Sequence, residues 1–227
     1  MSCRLLLAVG ERVNVVIVGA GSAGLAVSHE LTAAGVEHVV LERGQVGQTW
    51  RDRWESFCLV TPNWTVRLPG GEYDGPEPEG FMPRDEIVAH MRRYAASFSA
   101  PVRETIEVTA LELAPQGGLL LRSSEGEIRA ASVVLATGAY QKPHRPTGAD
   151  TLPPWLLQLD AEGYTNPDQL PPGKVLVVGE RPDWLPAGGG APGSRPRRVP
   201  RLWSSALEPT PAGGPRHRLV DGRDTLL

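Results

Sequence analysis

Residues 13 to 24 read Val-Asn-Val-Val-Ile-Val-Gly-Ala-Gly-Ser-Ala-Gly, and no other stretch of the chain constrains the fold as tightly. A β-branched run flows directly into Gly19-x-Gly21-x-x-Gly24. A helical stretch follows from Ser22 to Ala34, and a second strand, His38 to Leu41, ends at Glu42. Strand, glycine turn, helix, strand and acid in this order form a dinucleotide-binding fingerprint in its structural context. Gly19 permits the sharp turn, Gly21 lets backbone approach a pyrophosphate, and Gly24 lets the helix pack close to the strand. The helix N-terminus offers free N–H groups and a partial positive charge to phosphates. Glu42, eighteen positions beyond Gly24, is placed to accept hydrogen bonds from a ribose. The competing reading is a tight turn that binds nothing.

The rest of the composition narrows the function by exclusion. At 227 residues the chain suits one large domain or one and a half, and its net charge of −3 suggests neither nucleic acid nor an acidic membrane surface as partner. Cys3 and Cys58 form no CxxC pair and no metal-ligand spacing, so neither a dithiol centre nor a zinc site is expected, and a reducing cytoplasm fits. The apolar run Leu5 to Val9 is too short for a membrane span. It breaks at Gly10-Glu11-Arg12 without a signal-peptidase pattern, and we read it as residues ahead of a true start codon.

Beyond Glu42 a loop runs from Arg43 to Arg53 and contains Gly47, Gln48, Thr49 and Trp50. Trp64 to Leu68 is strand-like and stops at Pro69-Gly70-Gly71. Tyr73 to Gly80 is rich in Pro, Gly and acid and reads as a loop. Pro83 opens a helix, with Asp85 and Glu86 in its favourable first turn. Ile87, Val88, Met91, Tyr94, Ala95 and Phe98 share one helical face, which marks core. Short strands are expected at Val102–Leu113, Leu119–Ser123 and Glu127–Arg129, turning at Gln116-Gly117-Gly118 and Glu125-Gly126. Ser132 to Leu135 is a buried strand leading to Ala136-Thr137-Gly138. A proline-rich connector precedes one more strand, Lys174 to Val178. His29, His38, His90 and His144 are scattered and read as surface or packing residues, so no catalytic side chain is named. Trp50 and Trp54 also admit a plain core role.

The fingerprint, the Gly47-Gln48-Thr49-Trp50 loop, the Ala136-Thr137-Gly138 turn and the strand at Val175 occur here in the order found in flavoproteins with two dinucleotide-binding domains. Over Val13 to about Gly179 the chain resembles the flavin-containing monooxygenases, especially a bacterial branch described as flavoproteins involved in potassium transport. The resemblance implies an α/β fold: a Rossmann-type FAD-binding domain with a parallel sheet and a small antiparallel layer, then a truncated second Rossmann domain. It implies FAD on Gly19, Ala20, Gly21, Ser22, Ala23 and Gly24, with Glu42 and Arg43 at the ribose end. Gln48 and Trp50 would line the FAD loop, and Thr137 and Gly138 would mark the crossing between the FAD and NADPH domains. In that family NADPH reduces FAD, and the reduced flavin uses O₂ to oxygenate a small soft nucleophile. The cofactor carries the chemistry while the protein orients it and excludes water. One departure stands out: the family signature places a His four residues before a Tyr. Tyr164 matches that Tyr, but position 160 is Asp, and the aromatic and Gly that open the signature are missing.

A second GxGxxG, for NADPH, is expected after Val175–Gly179, yet the chain continues Glu180-Arg181-Pro182-Asp183-Trp184-Leu185-Pro186. From there to Leu227 it is rich in Pro, Gly and Arg without periodicity, a composition that does not offset the entropy of ordering. Read one base later, the codons of this stretch permit Ser-Gly-Gln-Thr-Gly-Cys-Gln, which after Gly179 completes a GxGxxG. Trp184, whose codon is TGG, becomes Gly when a C follows. The expectation is a frameshift near Gly179. Residues 13–145 then form an FAD-binding domain lacking its C-terminal return segment. Residues 146–179 form the connector and first strand of an NADPH domain, and residues 180–227 an out-of-frame tail. The leading reading is an FAD- and NADPH-dependent oxidoreductase of the monooxygenase type in a truncated, inactive form. The alternatives are a flavoprotein using a single dinucleotide and a non-catalytic nucleotide-binding module.

Overall fold

The structure is a computed structural model that describes residues 12–115, 117–139, 143 and 145–178. The expectations placed on Cys3, Leu5 to Val9, His144, Gly179 and Glu180 to Leu227 lie outside the described residues.

Alternation decides the layering. Strand β1 (Arg12–Val18) and strand β2 (His38–Leu41) pair in parallel, Val15 opposite His38 and Val18 opposite Leu41. Their side chains point alternately to two faces. Ile17 and Val40, fully buried, join one cluster with Leu25 of helix α1 (Ser22–Ala33). The same cluster takes in Ile87, Met91 and Tyr94 of a later helix (Arg84–Ser97). Val16, Val18, Val39 and Leu41 join a second cluster with Ile106, Leu121 and Ile128. Within the stretch expected as loop after β2 lies a short helix, α2 (Gln48–Arg51), which makes the helix at Arg84–Ser97 α3. Both faces of the parallel strands are therefore covered, as burial of such strands requires.

The sheet has six strands in the order β3-β2-β1-β6-β5-β4. The remaining strands are β3 (Val102–Arg103), β4 (Val108–Leu113), β5 (Leu119–Ser123) and β6 (Gly126–Leu135). β3 and β6 run parallel to their neighbours β2 and β1, while β4, β5 and β6 form an antiparallel meander. β6 belongs to both parts. Its first residues pair with β5, and Arg129 to Leu135 pair with β1. β1 is thus bonded on both sides at the centre of the parallel region, and Leu121 and Ile128 carry the meander across its second face.

Several expectations change. Glu127–Arg129 and Ser132–Leu135 are one strand, because pairing on opposite edges keeps the backbone extended through Ala130 and Ala131. The end of that strand is not buried: Val133 and Val134 are half-buried, and Ser132 and Leu135 are exposed. Val102–Leu113 is two strands, divided where Thr105 adopts φ 63°. Trp64–Leu68 is no strand: Asn63–Thr65 forms a 3₁₀ turn, with Val66 N–H bonded back to Asn63. Lys174–Val178 is assigned no strand, and Leu176 and Val178 are exposed. An apolar run becomes a strand only when a neighbour takes its backbone groups.

Candidate functional site

The glycine turn sits at the C-terminal end of β1, between the ends of β2 and β6. Gly19 N–H donates to Leu41 O at 2.8 Å, and Ala136 N–H donates to Val18 O at 2.9 Å. Gly19 has φ 105°, and a Cβ on it would lie 2.5 Å from Ala136 O. A Cβ on Gly24 would lie 1.9 Å from Gly19 O. Both residues are glycine because the chain packs against itself there. Gly21 differs: its φ is −80°, which any residue adopts, and a Cβ on it would meet nothing within 4 Å. Nothing among the described residues requires glycine at position 21. Open space in front of it suits an external group.

That space faces the start of α1. Leu25 N–H closes the first helical bond on Gly21 O at 3.0 Å, leaving the preceding N–H groups without an intrahelical acceptor. No side chain caps this end, no acid stands in the first turn, and Ser22 and Ala23 are exposed. The Ser22 hydroxyl lies 3.8 Å from the Met91 sulfur. An uncapped helix N-terminus beside a glycine turn favours an anion.

Glu42 closes the other side. Its Oε2 accepts from Ala20 N–H at 2.7 Å and its Oε1 from Gly44 N–H at 2.8 Å. One carboxylate thus ties the glycine turn to the loop after β2. Each oxygen retains a further lone pair for a ligand hydroxyl. Arg43 is exposed beside it. Gln48 is occupied within its loop: Oε1 accepts from Gln45 N–H, and the amide donates to Asp52 at 2.7 Å. The Trp50 ring packs on Phe57 with centroids 5.7 Å apart, and Trp54 packs edge-on against the same ring at 5.0 Å. Both tryptophans border the first core cluster. Thr137 and Gly138 follow β6; the Thr137 Cα lies 3.5 Å from the Cβ position of Gly19, and Gly138 has φ 81°. The structure therefore brings residues 19–24, Glu42, Arg43, Thr137 and Gly138 to one end of the parallel strands, while Gln48 and Trp50 lie in the adjoining loop.

One group was not legible as part of this end. Glu104 Oε1 accepts from Val46 N–H at 2.8 Å, and Thr105 N–H donates to Gly44 O at 2.9 Å. Thr105 has a φ of 63°, unusual for a β-branched residue and worth ~1–3 kcal/mol of strain. Its only sequence signal is the polar run Arg103-Glu104-Thr105 inside an otherwise strand-like stretch.

The described histidines serve packing. His38 bridges Ser28 Oγ and Val36 O, each at 2.8 Å, His90 bonds Gly71 O at 3.0 Å, and His29 stacks on Tyr94. Asp160, where the family signature has His, forms an ion pair with Arg145 at 2.8 Å. The Arg145 hydrogen bond and charge hold the Asp160 carboxyl below the usual carboxylate range. Burial, and then Glu55, push the Tyr164 hydroxyl above its ordinary value. Among the described residues no group of three or more His, Cys, Asp or Glu side chains could hold a metal ion, and no helix is long and apolar enough to cross a membrane.

Residues 16–181 match the pyridine nucleotide-disulphide oxidoreductase family. An uncharacterized CzcO-like oxidoreductase of Geobacillus kaustophilus is 35% identical over 168 residues, covering 74% of this chain and 48% of that protein. Indole-3-pyruvate monooxygenase YUCCA1 of Oryza sativa is 34% identical over 171 residues, covering 73% of this chain and 42% of that protein. Among solved structures, a doubly substituted flavin monooxygenase of Stenotrophomonas maltophilia superposes with a TM-score of 0.62 at 26% identity. The match covers 70% of this chain and 48% of that one. The chain spans about half the length of the curated relatives it matches. The fold is the Rossmann-like fold of these flavin monooxygenases.

Proposed function

We propose, from the premise that the chain belongs to the pyridine nucleotide-disulphide oxidoreductase family, that residues 19–24 and Glu42 bind FAD. On this reading the whole protein is a flavin-dependent oxidoreductase of the monooxygenase type. The observation that carries it is Gly21: open space where a side chain would stand, at an uncapped helix N-terminus, beside a carboxylate. Free N–H groups of Ser22 and Ala23 take the pyrophosphate, and the Glu42 oxygens accept ribose hydroxyls. Arg43 flanks the adenosine end, and Thr137 and Gly138 border the turn from β6. Gln48 and Trp50 shape the loop through Asp52 and Phe57. When bound, FAD would supply the redox chemistry: with two electrons from NADPH, one atom of O₂ would go to a small nucleophilic substrate and the other would leave as water. The residues of this chain bind and orient; none is assigned a proton transfer. The relatives named as monooxygenases support this class. The cysteines, Cys3 and Cys58, are not spaced as a dithiol and give no support to disulfide reduction. Asp160, where the signature has His, favours one second reading, a flavin oxidoreductase that is not a monooxygenase.

Gly21→Val tests the site. The variant should still fold, because a Cβ there meets nothing within 4 Å, with a loss of about 1 kcal/mol from placing valine at the helix N-cap, yet lose flavin absorbance after gel filtration. Flavin retained in full by Gly21→Val places the site elsewhere and overturns the reading. The NADPH half is proposed to lie in the frame one base beyond Gly179. In support, the family match ends at residue 181, two positions past that glycine. Residues 13–145 are then the FAD domain, 146–179 the connector leading into the NADPH domain, whose Lys174–Val178 run forms no strand in this chain, and 180–227 out of frame. NADPH oxidation by the frame-corrected protein and none by the 227-residue chain is the expected result; equal turnover by both defeats it.

A further inference from the structure

We propose that Glu104 is a positioning residue for the adenosine half of the cofactor, acting through the loop that carries Glu42; this rests on the ribose role given to Glu42 above. Glu42 stands just past the last rung between β2 and β3. Its N–H donates to Arg103 O and its carbonyl accepts from Ile106 N–H, both at 2.9 Å. A regular parallel ladder would return to Glu42 through Thr105 N–H; the bond comes instead from Ile106, one residue further on, so the chain bulges between them, and Thr105 stands there at φ 63°. Strain of this kind persists only where surrounding bonds over-determine it. Here the bonds run to the exit of β2. Thr105 N–H donates to Gly44 O, Ile106 N–H to Glu42 O, and Glu104 Oε1 accepts from Val46 N–H at 2.8 Å.

The consequence falls on the Glu42 carboxylate. Its Oε1 is oriented by Gly44 N–H, and Gly44 is itself pinned by Thr105. Val46, two residues on, is pinned by the half-buried Glu104 across 58 positions of sequence. The carboxylate is therefore aimed from two sides: Oε2 by Ala20 N–H of the glycine turn, and Oε1 by a loop peptide that is fixed from the β3–β4 turn. Removing the Glu104 acceptor frees Val46 N–H and loosens the segment from Gly44 to Val46. Gly44 keeps its bond to Thr105, but the donor to Glu42 Oε1 is then held on one side only and is less sharply fixed. A hydrogen bond to a charged acceptor is worth about a tenfold change in an equilibrium when lost.

The test is a double-mutant cycle on the 227-residue chain, with FAD and ADP as probes followed by calorimetry, and with the unfolding midpoint of the flavin-free protein measured beside them. Glu104→Ala should weaken both probes about tenfold, and Glu104→Gln should stay within about threefold, because the amide oxygen accepts the same bond. In the Glu42→Ala background, Glu104→Ala should add little, since it acts only through Glu42. Unchanged binding by Glu104→Ala alongside weakened binding by Glu42→Ala overturns this proposal and leaves the ribose reading standing. So do multiplicative losses in the double variant, or failure of Gln to rescue, which mark a general structural role. Unchanged binding by Glu42→Ala overturns the ribose reading and this proposal with it.

Discussion

The β1–α1–β2 unit and the connector of residues 145–178 sit in one chain under opposite constraints. In the first, Val16, Ile17, Leu25 and Val40 are fully buried, β1 is paired on both edges, and two glycines have no room for a Cβ. The connector contributes no strand, and Trp155 and Leu176 are 81% and 71% exposed. It is held by Arg145 to Asp160, by Glu55 N–H to Thr165 O, and by Asn166 to Glu55. The difference teaches where the candidate site gets its precision. A binding turn must hold its geometry to within about 0.5 Å, so it is built where packing leaves no freedom. The connector is fastened by exposed polar contacts, which fix a path more weakly than a core does.

The largest effect should come from Gly24→Ala. Its Cβ would stand 1.9 Å from Gly19 O, a backbone atom that cannot yield without opening the turn. We expect a loss of about 3 kcal/mol or more in chemical denaturation, together with loss of flavin. Set beside Gly21→Val, which should lose flavin at a cost in stability of only about 1 kcal/mol, this separates a glycine that the fold needs from one that the ligand needs. A fully stable Gly24→Ala protein would break the comparison, because the unit would then not be tightly determined.

The strongly periodic parts were legible for the same physical reason. β1, α1 and β2 are local, and their patterns name their faces; His38–Leu41 has the bounds expected, and α1 ends one residue short of Ala34. The α3 stripe is the observed buried face, with His90 added and Phe98 only partly buried. What failed depended on partners distant in sequence. Whether Lys174–Val178 or Trp64–Leu68 becomes a strand depends on a neighbour, which apolar character does not supply. In the site, the three glycines and Glu42 follow from spacing, while Glu104 does not. Its role depends on a turn at Thr105 and a loop 58 positions away.

An intermediate case sharpens the contrast. Glu42→Ala removes the acceptor of both Ala20 N–H and Gly44 N–H, each of which must then turn to water. We expect flavin affinity to fall by about 1–3 kcal/mol, with a smaller loss of stability, read from a flavin titration and a denaturation curve. A loss of stability exceeding the loss of affinity would make Glu42 part of the fold first and of the site second.

Asp160→Asn probes the connector through pH. The folded Asp160 carboxyl is held below its ordinary value by Arg145, so the pair stabilises the fold above the unfolded carboxylate range. That contribution is lost as pH falls through the depressed folded value. The stability difference between parent and variant should therefore be small and constant near neutrality and fade below about pH 4. A difference that grows on acidification would mean that the carboxylate is not the stabilised form.

The smallest effect should be that of Trp155→Ser. A tryptophan inside the first cluster would cost several kcal/mol on truncation, because a cavity forms and apolar surface is re-exposed. Trp155 is 81% exposed, more than any other described tryptophan, and it belongs to neither core cluster. Its removal takes away little buried area, so the change in the unfolding midpoint should correspond to about 0.5 kcal/mol or less. In the parent, acrylamide should quench its fluorescence more readily than that of Trp50 or Trp54, which pack on Phe57. A loss comparable to a core truncation would show Trp155 packed against protein in solution, and the connector would then join the β1–α1–β2 unit as a rigidly determined part of the molecule.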